Sequence, residues 1–181
     1  MEQGAGIFEL IAQGKKRQEL SELMERNEES VQFGLVLTQE EAGELVACRN
    51  ESLRKWGRVE FGKGILDKLV QVFCDSPYLN QDNYLETLKQ LQEVFYEFKN
   101  ETQDQMTDDE LLNFMREQLE EVCGGDVDYL ESTCLDRLGA GVRAGYKGFE
   151  ETDGRHIYGE FSGEKRWDKD LYMEVVRDLF W

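Results

Sequence analysis

Between Gly64 and Gly124 the chain carries no glycine and a single proline, Pro77. Glycine and proline are the residues that weaken a helix interior most, so this stretch favours continuous helix. Its apolar residues have the matching period. Tyr84, Leu88, Leu91, Phe95 and Phe98 are separated by 4, 3, 4 and 3 positions, which lines one face of a helix. The spacing predicts a helix over 81–102. At about 100° per residue, Glu86, Glu93, Glu97 and Glu101 fall on the opposite face.

Capping signals place two more helices. Thr38-Gln39-Glu40-Glu41 has capping-box spacing. Ala42, Leu45, Val46, Arg49, Leu53 and Trp56 follow at helical intervals, and Gly57 supplies a stop. Acids lead this helix and bases end it, as the macrodipole favours. Thr107-Asp108-Asp109-Glu110 is a second capping box. It opens a helix through Leu111, Leu112, Met115, Leu119 and Val122, closed by Gly124-Gly125.

Further helices are expected over 7–26, with Gly14 as a break point, over 65–74, ended by the turn signal Asp75-Ser76-Pro77, and over 126–138, burying Leu130, Cys134, Leu135 and Leu138. Val31 to Leu37 is apolar and β-branched, and reads as an extended lead-in or a short strand; Val59 and Phe61 alternate in the same manner. Seven glycines between Gly139 and Gly163 predict turns and loops. Arg155 to Ser162 reads as a strand or hairpin arm. Asp168 caps a final helix through Leu171, Val175, Val176, Leu179 and Phe180.

The expected fold is therefore all-α or nearly so. It is a compact bundle of about six helices with minor strand content and a glycine-rich C-terminal arm ending in a helix. Residues 1–138 would form an acidic helical domain. Residues 139–181 would form the arm, docked on that same domain through an end reading Leu179-Phe180-Trp181.

The net charge is −18, with 39 acidic against 21 lysine and arginine residues. That balance argues against nucleic acid and anionic membranes as partners, since both select positive surface. A hydrophobic content of 40% is too high for a disordered chain at this charge. No apolar run is long enough to span a bilayer. The N-terminus carries Glu2 and Glu9 without a basic leader region, so a cytoplasmic location is expected. Cys48, Cys74, Cys123 and Cys134 show no CxxC spacing and no disulfide framework. Near apolar residues in helical patterns, most read as small hydrophobes.

The charge is unevenly spread. Residues 75–131 contain 16 acidic and 3 basic residues, against 13 and 10 in residues 1–74. The stretch from Arg49 to Lys68 runs the other way, with Arg54, Lys55, Arg58 and Lys63 between them.

The elements Phe33-Gly34-Leu35, Gly57-Arg58-Val59-Glu60-Phe61-Gly62, Phe73-Cys74-Asp75-Ser76-Pro77-Tyr78, Asn83-Tyr84, Phe95-Tyr96-Glu97-Phe98-Lys99-Asn100-Glu101 and Asp108-Asp109-Glu110-Leu111 resemble those of a family of small, acidic, uncharacterised bacterial proteins. That family is classed only as a domain of unknown function. The resemblance covers roughly residues 27–138. It implies a bacterial cytoplasmic setting and brings no activity, cofactor or catalytic residue with it.

Catalytic chemistry finds little purchase. His156 is the only histidine and has no fixed Cys or Ser partner in sequence, whereas triads and most catalytic zinc sites need more. The Glu-x-x-His pairs of dimetal carboxylate bundles are missing. Asp126-Val127-Asp128 begins like a calcium loop but lacks the glycine and later ligands. Gly139-Ala140-Gly141-Val142-Arg143-Ala144 fits a dinucleotide fingerprint in letters only. It follows a helical pattern rather than a strand, and reads as a helix stop and flexible link. Gly62-Lys63-Gly64 lacks the remainder of a phosphate loop. No catalytic, cofactor-binding or metal-binding residue is assigned.

The acidic helices stand out instead. Glu93, Glu97 and Glu101 repeat at i+4, where like charges repel, and Glu117, Glu120 and Glu121 crowd a helix C-terminus, where the dipole disfavours them. The 38–56 helix obeys both rules. The leading expectation is a non-enzymatic interaction or adaptor protein, with Glu86, Glu93, Glu97, Glu101, Glu117, Glu120 and Glu121 as its docking face. Its partner would be a basic protein, or a second copy presenting Arg49 to Lys68. The alternative is a small enzyme or ligand-binding protein with a pocket between helical body and arm, lined by Arg58, Glu60, Asp75, Tyr78 and His156.

Overall fold

The computed structural model describes the backbone of residues 3–60, 64–145, 151–152 and 155–156, and the side chains of 13–60 and 64–145. The chain is all-α. In order come α1 (Gln3–Glu25), the short α2 (Asn27–Ser30) continuing into a 3-10 turn (Val31–Phe33), α3 (Gln39–Trp56), α4 (Gly64–Phe73), α5 (Tyr84–Glu101) and α6 (Asp108–Glu121). A final helical run follows: α7 (Val127–Tyr129), a π-helical stretch (Leu130–Leu135) and α8 (Asp136–Arg143). A two-residue antiparallel hairpin, β1 (Glu151–Thr152) and β2 (Arg155–His156), pairs Glu151 with His156 and Thr152 with Arg155. It lies at the near end of the segment expected to carry a strand or hairpin arm. The expected terminal helix over 168–180 lies outside the described residues.

Both capping boxes form. Thr38 accepts from the Glu41 N–H at 3.2 Å while the Glu41 carboxylate accepts from the Thr38 N–H at 2.7 Å. Thr107 and Glu110 do the same at the head of α6. Gly57 ends α3 in the left-handed region, where a side chain would be strained.

The chain divides into two compact units, Met1–Tyr96 and Glu97–Trp181. In the first, α1 packs on α3 and α4, and α3 on α4. Leu45, Val46, Ile65, Leu69, Phe73, Tyr84, Leu88 and Leu91 are buried, each worth about 2 kcal/mol of transfer free energy as an upper figure. In the second, the π-helical stretch packs on α6 and α8, and Phe98, Leu111, Met115, Leu119, Leu130, Leu135 and Leu138 are buried. The whole predicted α5 stripe is thus buried, its first four members in one unit and Phe98 in the other.

The stretch Val31 to Leu37, expected as an extended lead-in or a short strand, is corrected in its first half: Val31–Phe33 form the 3-10 turn, and only residues 35–37 are extended, as a lead-in and not a strand. Apart from the Leu35 N–H, which donates to the Ser30 carbonyl at 3.2 Å, their paired backbone groups are held by side chains. The Asn27 amide donates to the Leu37 carbonyl and accepts from its N–H, both at 2.8 Å. Gln81 does the same for Val36 at 2.9 and 2.8 Å, and Ser30 Oγ donates to the Leu35 carbonyl. Leu35 and Leu37 point inward and Val36 outward, the alternation of an extended chain without a neighbouring strand. Among residues 58–60 no strand forms, and Val59 is exposed.

Two helix expectations are corrected. α1 runs through Gly14 unbroken. The helix that begins at Val127 does not stop at Leu138; it continues through Gly139 and Gly141 to Arg143. Gly139 is buried, and a Cβ there would sit 3.6 Å from Glu101 Cβ and 3.7 Å from the Phe98 ring. The glycine acts as a point of close helix approach instead of a breaker.

Candidate functional site

The residues of the expected docking face divide between the two units. In the first, Glu86 and Glu93 are exposed on α5. Glu93 accepts a weak bond from Cys48 Sγ at 3.4 Å, and the nearby Lys89 is turned to Glu44 on α3 at 2.7 Å, which raises its pKa. In the second, Glu97 and Glu101 end α5 half-exposed, Glu117 and Glu120 are half-exposed on α6, and Glu121 is exposed. Each therefore reaches solvent.

The second unit shows where its positive charge goes. Its described helical part, residues 97–145, holds thirteen acidic residues and four basic ones, a net of −9. Lys99 is buried and donates to the Met106 carbonyl and to Asp108, the latter at 3.0 Å. Arg116 pairs with Glu120 at 2.5 Å. Arg143 pairs with Glu101. Three of the four cations are thus engaged by acceptors within the unit, and its described helical part keeps an excess of nine negative charges. The crowding reaches Glu131, unmarked in the sequence reading. Burial first, then the Glu97, Asp128 and Asp136 carboxylates, hold its carboxyl above the usual range, and Glu97 accepts a bond from its protonated form. Nothing local in the sequence flags this pair, since the two residues sit 34 positions apart.

The basic stretch is spent differently. Arg49 is only 4% exposed. Its guanidinium donates to Glu19 of α1 at 2.9 Å and to Glu60 at 3.1 Å. Glu60 in turn accepts from the Tyr96 hydroxyl and from the Ile65 N–H at 3.3 Å, so it also caps the first turn of α4. Gly64 makes room for this carboxylate. Its φ is +67°, and a Cβ there would lie 2.4 Å from Glu60 Oε2. Beside it, Arg26 grips Asp67 through two bonds at 2.6 and 2.8 Å, an arrangement that raises the Arg26 pKa. Arg49 is therefore a buried tie between α1, α3 and the lead-in to α4, withdrawn from the surface. Arg54 and Lys55 remain exposed, the latter 4.9 Å from the centre of the Trp56 ring.

Of the alternative pocket residues, Glu60 is committed to that network. Arg58 is half-buried, and Asp75 and Tyr78 are exposed. His156 lies in β2 by its backbone, with its side chain outside the described residues. A recess lined by Glu19, Glu22, Leu23, Val46, Arg49, Leu66 and Asp67 has room for about one water molecule, far below the several hundred Å³ of a usual small-molecule site. Asp126, the first residue of the truncated calcium-loop pattern, caps α7 by accepting from the Tyr129 N–H at 2.9 Å. Among the described residues no group of three or more His, Cys, Asp or Glu side chains is placed to hold a metal ion, and no helix is long and apolar enough to cross a membrane.

A family model described as a family of unknown function (DUF6323) matches residues 22–148. The chain belongs to that family. The match extends the resemblance read from residues 27–138 at both ends. In this DUF6323 chain the matched span begins late in α1 and runs just past α8, so it includes the Arg26–Asp67 pair, Glu60 and Arg49, and all seven glutamates of the expected face. Glu19, which completes the Arg49 network, lies just before it. No curated protein and no solved structure matches the chain. The family description carries no activity, and the function is unknown.

Proposed function

We propose that this DUF6323 protein is a non-enzymatic interaction protein that docks a basic partner protein through the solvent-reaching carboxylates of α5 and α6. The supporting observation is the fate of the cations in residues 97–145. Lys99, Arg116 and Arg143 are bound to acceptors within the unit, and residues 97–145 keep a negative field, with a net charge of −9. Such a field speeds encounter and selects a positive partner. A bacterial cytoplasm suits this reading, since the family resemblance implies it and four free thiols persist in a reducing setting. The face belongs to the second unit and comprises Glu97, Glu101, Glu117, Glu120 and Glu121, of which Glu121 is the most exposed.

Affinity capture on the full chain from its native lysate tests the reading. A basic protein should be retained at low salt, released as ionic strength passes that of the cell, and missed by a Glu97→Gln/Glu101→Gln/Glu117→Gln/Glu121→Gln variant. Retention is expected to fall by about tenfold or more over that range, because exposed charges are screened within about 10 Å. Retention that ignores both salt and the substitutions would reduce the carboxylates to a solubilising surface.

A further inference from the structure

We propose that Cys123 and Cys134 form a redox-modification site, a dithiol that a peroxide converts to an intramolecular disulfide. The two sulfurs face each other at 3.6 Å, joined by a thiol–thiol hydrogen bond, and neither is in a disulfide. A disulfide needs about 2.05 Å, so each sulfur must move by about 1 Å. Both lie where the backbone departs from regular α-helix. Cys123 follows the last residues of α6 and precedes Gly124 and Gly125, whose φ values are +60° and +88°. Cys134 lies in the wider π-helical stretch Leu130–Leu135, a geometry often found at functional positions. Cys48 and Cys74 have different surroundings. Cys48 contacts Gln92 and Glu93, and Cys74 donates to the Gln71 carbonyl.

Exposure divides the roles. Cys123 is half-buried and Cys134 buried, so Cys123 meets the oxidant. Its thiolate attacks one peroxide oxygen. The S–O bond forms, the O–O bond breaks, and the departing hydroxide leaves as water with the proton the thiol gave up. Cys134 sulfur then attacks the sulfur of the Cys123 sulfenic acid. The S–S bond forms, the S–O bond breaks, and the hydroxyl leaves as a second water with the Cys134 proton. Two thiols are oxidised by two electrons and one peroxide is reduced to two waters.

The surroundings make the site slow to oxidise. Burial, then the Cys134 sulfur, then Asp126 push the Cys123 thiol up to about 12. Burial also raises Cys134, against the opposing pull of Arg137. Thiolate is scarce at neutral pH, so the rate should climb about tenfold per pH unit below that value.

The test is peptide mapping and intact mass on the folded full chain treated with hydrogen peroxide at pH 7 and pH 9. The expected result is a loss of about 2 Da, a Cys123–Cys134 cross-linked peptide, reversal by a strong dithiol, and about 100-fold faster formation at the higher pH. A Cys48→Ser/Cys74→Ser variant should form the same cross-link. Cys134→Ala should abolish it and send Cys123 on to the sulfinic acid. The proposal is overturned if the wild-type chain gives sulfinic acid at Cys123 without a cross-link, or if the cross-links formed involve Cys48 or Cys74 instead. The wild-type mapping decides the matter even where a variant folds poorly.

Discussion

Arg49 ties α1, α3 and the lead-in to α4 together. It sits almost fully out of solvent between Glu19 and Glu60. Arg49→Ala would leave Glu60 charged, partly buried and short of a partner, and should destabilise the chain by about 3–5 kcal/mol in denaturant unfolding. Arg49→Met combined with Glu60→Gln should cost clearly less, because no buried charge is stranded. Equal losses from the two variants would show that packing, not charge, holds this point. Gly64 belongs to the same site. Gly64→Ala meets both a left-handed backbone and the Glu60 carboxylate at 2.4 Å, so a loss of about 2 kcal/mol is expected. Glu131 works in the opposite direction. Its folded pKa is raised, so its contribution to stability is best at pH below the ordinary glutamate value and is lost as pH rises through the folded value. Glu131→Gln should therefore stabilise the chain at pH 7, by about 2 °C in Tm, and the gain should shrink on acidification toward pH 4. A gain that persists at low pH would place its origin elsewhere.

The helices were legible from sequence where their signals are local. Thr38 and Thr107 each sit three residues before a glutamate, and both boxes close. Replacing Thr107 by Ala should cost about 1 kcal/mol and loosen the first turn of α6, visible as faster amide exchange at Asp109 and Glu110. The stripe from Tyr84 to Phe98 is likewise buried as its period demands. What escaped depends on neighbours distant in sequence. Gly139 and Gly141 read as breakers because propensity sees only the chain beside them. The helix continues through Gly139 where the position lies close to Phe98 and Glu101. Residues 31–37 read as strand or lead-in because their β-branched, apolar character fits both; Val31–Phe33 instead wind into a 3-10 turn, and residues 35–37 alone are extended. Asn27 and Gln81 select the lead-in by satisfying its backbone. Of the candidate site, the outward placement of the glutamates followed from helical geometry. The burial of Arg49 and the crowding of Glu131 did not, because each needs a partner 30 or more residues away.

Across the whole molecule, excess negative charge is concentrated in residues 75–131, and the cations nearest the acidic helices are turned inward or paired. The central claim is that these carboxylates bind a basic partner. Carboxylate footprinting of the full chain, alone and with the protein it retains at low salt, tests this most directly. The account predicts that Glu97, Glu101, Glu117 and Glu121 are protected from labelling in the complex, while Glu40 and Glu51 of α3 label as before. Protection centred on α3, or labelling of the four glutamates unchanged by the partner, would contradict it.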